Sequence, residues 1–392
     1  MTDWTRPRPA FSLALALFAT VACEKDSPTT TPPDAPPPAT QAAGDEAKEP
    51  APELVDTWYN DLDGDGVPDF VELELHSDPN LDECIVEACG PGARGGRLVD
   101  KINTLIVLDA SGSMAGKVGK KTKMDAAKAA VRRYVEVMPA SEVMQVGVMV
   151  YGHVGDNTPA KKDESCAAVE MKVPMGAVDP KAVGAALTPL KATGWSPIAR
   201  ALEASSEVLP EQVSAVNHVI LVADGLERCD GDPAAIARRL RATNHLAVVD
   251  VVGFGELAQE DSAALRAIAD ATGGLYVDAA SVADFDQALN LLTLNIWDRY
   301  DAWLCAVGSA PLLACYDKRA DEAIARAEAE VERMAGYRDA DPQIASLGEI
   351  KARIEATRDG RRRVVTTYQV KLEAMTKEGA ARRKKAGIKA QG

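Results

Sequence analysis

One stretch constrains this chain more than any other. Ile102-Asn103-Thr104-Leu105-Ile106-Val107-Leu108 is an apolar run of strand length that stops at Asp109, and Ser111 and Ser113 follow at alternate positions. A run this rich in Ile, Leu and Val predicts a strand covered on both faces, and so the middle of a parallel sheet. Asp109, Ser111 and Ser113 then fall in the loop leaving its C-terminal end, where open α/β sheets place their ligands. Three oxygen-bearing side chains gathered there suit a hard cation such as magnesium.

Downstream the pattern alternates. Strands are expected at 144–151, 169–174, 218–223, 246–253 and 275–277, with helices at 124–138, 181–190, 197–209, 233–242, 262–271 and 282–292. Together with the first strand this gives a sheet of six strands covered by helices on both faces.

The Asp109-x-Ser111-x-Ser113 spacing and this alternation resemble a von Willebrand factor type A (VWA) domain over some 200 residues, 98–297. The resemblance implies a doubly wound, mostly parallel, Rossmann-like α/β fold. It also implies two further loops at the metal. One normally supplies Thr before Pro at a helix start; Gly194-Trp195-Ser196-Pro197 puts Ser196 there, a departure that keeps the ligating oxygen. The other supplies an aspartate after a buried strand, which is Asp224 after Val219-Ile220-Leu221-Val222-Ala223. In that family the hydroxyls bind the ion directly, and one or both aspartates act through water. Mg2+ (or Mn2+) held at such a metal-ion-dependent adhesion site keeps an exchangeable outward position. A carboxylate from a partner protein can take that position.

Imitations of other sites fail on context. Gly253-Phe254-Gly255-Glu256-Leu257-Ala258 mimics a dinucleotide fingerprint but follows a late strand rather than opening a βαβ unit. Gly116–Thr122 lacks the gap of a phosphate-binding loop and reads as a solvated basic loop. An aspartyl-phosphate enzyme would want a second acid where Ser111 stands. His76, His153, His218 and His245 form no metal spacing, and neither a Ser-His-Asp nor a Cys-His set can be assembled. No enzymatic activity is expected.

Ahead of the domain, Arg6 and Arg8 precede an apolar segment from Ala10 to Ala22, too short for a good membrane span, so residues 1–22 read as an export signal. Thr20-Val21-Ala22-Cys23 resembles a bacterial lipoprotein processing site, with Cys23 as the lipidated residue. Residues 23–53 are rich in Pro, Thr, Ala and acids and read as a tether. Within 54–97, Asp61, Asp63, Asp65, Asp69 and Glu72 occupy positions 1, 3, 5, 9 and 12 of an EF-hand loop, with Gly66 at position 6. Val67 would add its carbonyl and Asp69 a water-mediated contact to Ca2+. Pro68 and Ser77-Asp78-Pro79-Asn80 resemble bacterial thrombospondin type 3 calcium repeats rather than a paired hand.

Seven cysteines less Cys23 leave Cys84, Cys89, Cys166, Cys229, Cys305 and Cys315, an even set that in an exported chain implies disulfides. Proximity suggests Cys84–Cys89 and Cys305–Cys315, leaving Cys166–Cys229 as a long-range bridge. Residues 298–392 are charged, Ala-rich and helical in composition, with an apolar stripe at Leu347, Ile350, Ile354, Val364, Tyr368 and Met375. Asp339-Ala340-Asp341-Pro342 breaks the helix before that stripe, Gly360 is a weak point within it, and a helical hairpin is expected.

The net charge of −15 excludes generic nucleic-acid binding. From Arg361 to Gly392 ten Lys/Arg stand against two Glu, so that segment carries +8 and the rest −23. A basic run of this kind is ordinarily the solvated end of a helix, complementing its dipole. The sequence thus points to a protein lipid-anchored in the bacterial cell envelope, periplasmic or surface-facing, that captures an exposed Asp or Glu of a protein partner through magnesium. The competing expectation is a structural protein of the envelope that assembles through its helical hairpin, with the ion only bracing the fold.

Overall fold

A computed structural model describes residues 98–210, 215–242, 247–337 and 340–388, together with 63, 67–74, 77, 79, 82, 84 and 89. The export signal, Cys23, the tether, and Asp61 and Asp65 of the calcium loop lie outside the described residues. In chain order come helix α1 (Asp69–Glu74), strand β1 (Lys101–Asp109), a ribbon of β2 (Lys117–Val118) and β3 (Lys121–Thr122), and helix α2 (Lys123–Val137). Then follow β4 (Met144–Tyr151), α3 (Lys162–Cys166), β5 (Val169–Ala177), α4 (Pro180–Leu187), α5 (Ile198–Val208) and β6 (Ala215–Ala223). After these are α6 (Pro233–Ala242), β7 (Val248–Phe254), α7 (Gln259–Asp270) and β8 (Tyr276–Ala279). The chain continues as α8 (Val282–Gly308), α9 (Ala310–Met334), α10 (Asp341–Tyr368) and α11 (Leu372–Lys385).

The six-stranded sheet has the order β5-β4-β1-β6-β7-β8, and β5 alone pairs antiparallel. β1 lies between β4 and β6, parallel to both, as its unbroken apolar run requires. Its side chains are buried from Ile102 through Asp109. Alternation sends Leu105 and Val107 to one face and Ile106 and Leu108 to the other, into separate cores. Helices α5, α6 and α7 cover the first face; α2, α4 and α8 cover the second. Local signals set the helix starts: the Thr122 hydroxyl accepts from the amide of Asp125, Asp179 accepts from Lys181 and Ala182, and Ser281 with Asp284 forms a capping box.

The expected boundary at residue 297 falls in mid-helix. The run from Val282 to Gly308 contains no proline or internal glycine, and Trp297, Tyr300, Trp303, Leu304 and Val307 continue its apolar face. That face joins the sheet's own core. Trp297 Nε1 donates to the carbonyl of Val137 at 2.9 Å, and Trp303 Nε1 to that of Val99 at 2.8 Å. Tyr368 on α10 meets the Trp303 ring edge-on at 5.1 Å between centroids.

The rest of the stripe is also consumed within the chain. Leu347, Ile350 and Ile354 bury against Val67 and Val71 of the N-terminal segment and Ala320 and Ala323 of α9, in a third cluster. Val364 and Tyr368 join the main core, and Met375 packs on its margin. Gly360 does not interrupt α10, which is continuous from Asp341 to Tyr368; with Gly360 buried, packing outweighs its weak helix propensity. Pro342 sits in the first turn of α10, where its missing N–H costs nothing.

Cysteine pairing differs from the proximity rule at two of three bridges. Cys166–Cys229 is present, but Cys84 joins Cys315 and Cys89 joins Cys305. Cys305 lies in the last turns of α8 and Cys315 in the second turn of α9, so rigid helix separates them. Each sulfur instead meets the 84–89 segment. The new pairs enclose 231 and 216 residues, for which the chain-entropy account gives about 5 kcal/mol for either bridge alone.

Candidate metal site

The C-terminal edge of the sheet brings together all five residues that the sequence nominates. Asp109 ends β1 fully buried, and its Oδ1 accepts the amide N–H of Ser111 at 2.7 Å. The Ser111 and Ser113 hydroxyls lie 2.9 Å apart, and Ser113 donates to Asp224 Oδ1 at 2.6 Å. Ser196 Oγ, from the loop before α5, reaches Asp109 Oδ2 at 3.3 Å. Asp109, Ser111, Ser196 and Asp224 are buried, whereas Ser113 is exposed, so the cluster opens to solvent on one side.

Backbone contacts hold the three loops in place. The Gly112 amide donates to Gly194, the Thr193 amide to Ala110, and the Gly194 amide to Gly152, all within 2.9 Å. Gly194 is required by close approach: a Cβ there would stand 2.0 Å from Ser165 Oγ and 2.6 Å from the Val154 carbonyl. Ser165 Oγ in turn accepts the amide of Trp195. Thr193, the weaker candidate for the second hydroxyl, reaches the Gly152 carbonyl rather than the aspartates.

Glu227, which sequence reasoning missed, fastens the third loop to the second. One of its carboxylate oxygens accepts the Ala199 amide at the start of α5, and the other accepts the amide of Cys229. Cys229 is bridged to Cys166 beside the Ser165 contact. Lys123 was also missed: its Nζ donates to Asp224 Oδ2 at 2.9 Å. No spacing rule marks it, because it lies in a basic run that reads as solvated. His153 stands apart, bonded to Glu170 at 2.8 Å.

The electrostatics of the cluster suit a cation. Burial, then the Asp224 charge, raises the Asp109 carboxyl to about 7. Burial together with the Asp109 and Asp224 charges also pushes the Tyr151 phenol well up. Two enclosed carboxyl groups face one ammonium, so that when both are ionised one negative charge is unbalanced. The donors are hydroxyl and carboxylate oxygens with no sulfur or imidazole, the set preferred by Mg2+ or Mn2+. Among the described residues no three His, Cys, Asp or Glu side chains converge as a metal cage. The metal reading therefore rests on the serines as much as on the acids.

The N-terminal calcium-loop residues are placed in part. Val67 is buried, and Glu72 is fully buried with its Oε1 2.8 Å from Arg319 Nη2 on α9. Asp63 and Asp69 are partly exposed. Glu72, expected from loop spacing as a calcium ligand, is an ion-pair partner of Arg319, a role invisible to that spacing.

The fold and these loops define a doubly wound α/β module that gathers two aspartates and three serines at the end of its central strand. A family profile described as von Willebrand factor type A domain matches residues 104–227. The chain belongs to that family. It is 35% identical over 187 residues to the uncharacterized protein YwmD of Bacillus subtilis, covering 47% of this chain and 82% of that one. To YwmC of the same organism it is 32% identical over 195 residues, covering 50% and 84% respectively. Among solved structures, a von Willebrand factor type A protein from Catenulispora acidiphila matches 50% of this chain and 43% of its own, at 22% identity and a TM-score of 0.41.

Proposed function

We propose that this protein is lipid-anchored in a bacterial envelope and binds a protein ligand by capturing its exposed Asp or Glu on a magnesium ion. The observation that carries the reading is the convergence of Asp109, Ser111, Ser113, Ser196 and Asp224, from three separate loops, on one cluster open to solvent. Ser111, Ser113 and Ser196 would hold the ion through their hydroxyls, with Asp109 and Asp224 balancing its charge. The ion would supply Lewis acidity toward a carboxylate from outside. Three neutral hydroxyls leave it short of negative ligands, which favours such a visitor.

Binding rather than turnover is favoured by a donor set of hydroxyl and carboxylate oxygens gathered on one cluster with a side open to solvent. Anchorage rests on the sequence at Cys23, and calcium on the spacing of Asp61, Asp63, Asp65, Val67, Asp69 and Glu72. Calcium would brace the junction of the N-terminal segment with α9 and α10. The competing assembly role through the helical hairpin would have to use other faces of that hairpin, because the stripe on α10 packs inside the chain.

The test is capture of envelope proteins by the full chain, in magnesium and in chelator. Capture is expected to disappear in chelator and in Asp109→Ala. An Asp61→Ala, Asp63→Ala variant separates loss of calcium from loss of magnesium. Capture that persists in Asp109→Ala refutes the reading.

A further inference from the structure

Lys123 is the first residue of α2, and its own amide donates to the Gly116 carbonyl at 2.8 Å. Its side chain is nearly covered, with 17% exposed, while the carboxylate it meets is fully covered. The stem runs through a slot that glycine makes. At Gly255, φ is +106°, and a Cβ would stand 2.6 Å from Lys123 Cε and 2.8 Å from Nζ. A Cβ on Gly116 would stand 2.9 Å from the Ser113 carbonyl and in ordinary contact, at 3.8 Å, with Lys123 Cε. An L side chain at 255 would be strained, and its Cβ would push the flexible end of the lysine aside. The approach of Lys123 to Asp224 is therefore built into two loops and one helix start, unlike a long side chain bridging across open surface.

Asp224 meets competing demands. Its Oδ1 faces the Ser113 hydroxyl and the rest of the donor cluster, while its Oδ2 is held by Lys123. An ion drawn to the Oδ1 side shares this carboxylate with an ammonium. Two like charges on one small anion repel, and the enclosure of Asp224 leaves little water to screen them.

We propose that Lys123 is a resident cation that lowers the affinity of the site for divalent ions and holds Asp224 in place when no ion is bound. The inference rests on the reading of the cluster as a divalent-cation site. Its functional consequence concerns selectivity. With Asp224 already half-neutralised, a bound ion receives less charge from the protein and keeps a stronger demand for an outside carboxylate. Lys123 thereby trades tight ion retention for ligand capture. It is a specificity-determining residue rather than a metal ligand.

Calorimetric titration of the full chain with Mn2+ tests this, taking as the relevant site the binding that Asp109→Ala abolishes. Even at an effective dielectric of ~20, a unit charge this near a divalent ion alters affinity by at least about tenfold. Lys123→Met, which keeps the stem, and Lys123→Gln, which keeps a polar tip, should both bind Mn2+ at least about tenfold more tightly than the wild type. In chelator both should unfold at a lower temperature, because Asp224 has lost its partner. Simple damage to the site would weaken Mn2+ binding, the opposite direction. Unchanged or weaker Mn2+ binding in both variants overturns the role of Lys123 while leaving the site intact. If the wild type shows no Mn2+ binding beyond that of Asp109→Ala, the reading of the site fails, and the proposal with it.

Discussion

Replacing Trp303 with alanine tests whether the VWA body and the C-terminal helices melt as one unit. The indole is fully buried, stacks with Tyr300 at 6.2 Å, meets Tyr368 of α10 edge-on, and donates to the Val99 carbonyl just before β1. Truncating a buried tryptophan costs about 3–5 kcal/mol. The abandoned carbonyl adds about 1 kcal/mol, which places the variant near the top of that range. At about 2 °C per kcal/mol for a domain of this size, the Tm should fall by about 8–10 °C. Trp303→Phe keeps much of the packing and loses the hydrogen bond, so about 2 kcal/mol and about 4 °C are expected. Scanning calorimetry with far-UV circular dichroism at matched scan rates is the assay. The variant should show one transition, shifted as a whole. Two transitions, with helical signal lost early and the remainder at the wild-type temperature, would refute the shared core.

Three further outcomes follow from particular contacts. Non-reducing peptide mapping should recover Cys84 with Cys315 and Cys89 with Cys305; a Cys84–Cys89 peptide would contradict the fold of the N-terminal segment. Arg319→Met removes the ion pair between Arg319 and buried Glu72, and should lower stability measurably in chelator. If the loop binds calcium, the loss measured by chemical denaturation should shrink when Ca2+ is added, because the ion can take up the same carboxylate. The third concerns Asp250, buried with its Oδ2 2.6 Å from His218 Nε2. Burial alone would raise its carboxyl, but the His218 charge and hydrogen bond, with the Leu275 amide, outweigh it and hold the carboxyl below the ordinary 3.8. A depressed folded pKa adds stability that is present above the unfolded value and lost as pH falls through the lower folded one. The Tm gap between the wild type and Asp250→Asn should therefore narrow as pH falls from about 5 to below about 4. A gap that widens over that interval would show the sign to be wrong.

Much of the candidate site could be read from the sequence because each nominated residue follows a buried strand or precedes a helix, so local pattern fixes its place. The strand ending at Asp109 and the helix Pro233–Ala242 fall where their periodicity puts them. Lys123, Glu227 and the His218–Asp250 pair escaped because what defines each is a contact across many residues, with no spacing to betray it. The disulfides were misassigned because sequence proximity is a poor guide once rigid helix intervenes. The boundary at 297 was misplaced for a related reason. Residues 298–392 read as charged and Ala-rich, yet the helix that crosses 297 carries Trp297, Tyr300 and Trp303 on one face. Charge on one face says little about what the other covers.

The nested bridges Cys84–Cys315 and Cys89–Cys305 have a mechanical consequence. Any tension between chain preceding residue 84 and chain following residue 315 is carried across sulfur, bypassing the whole sheet and its loops. Even if every strand were torn apart, the covalent shortcut would release none of the intervening polypeptide as slack along that path. Residues 84 and 315 therefore behave under load as a short link, and the cluster at the strand tips is spared any pull applied between them.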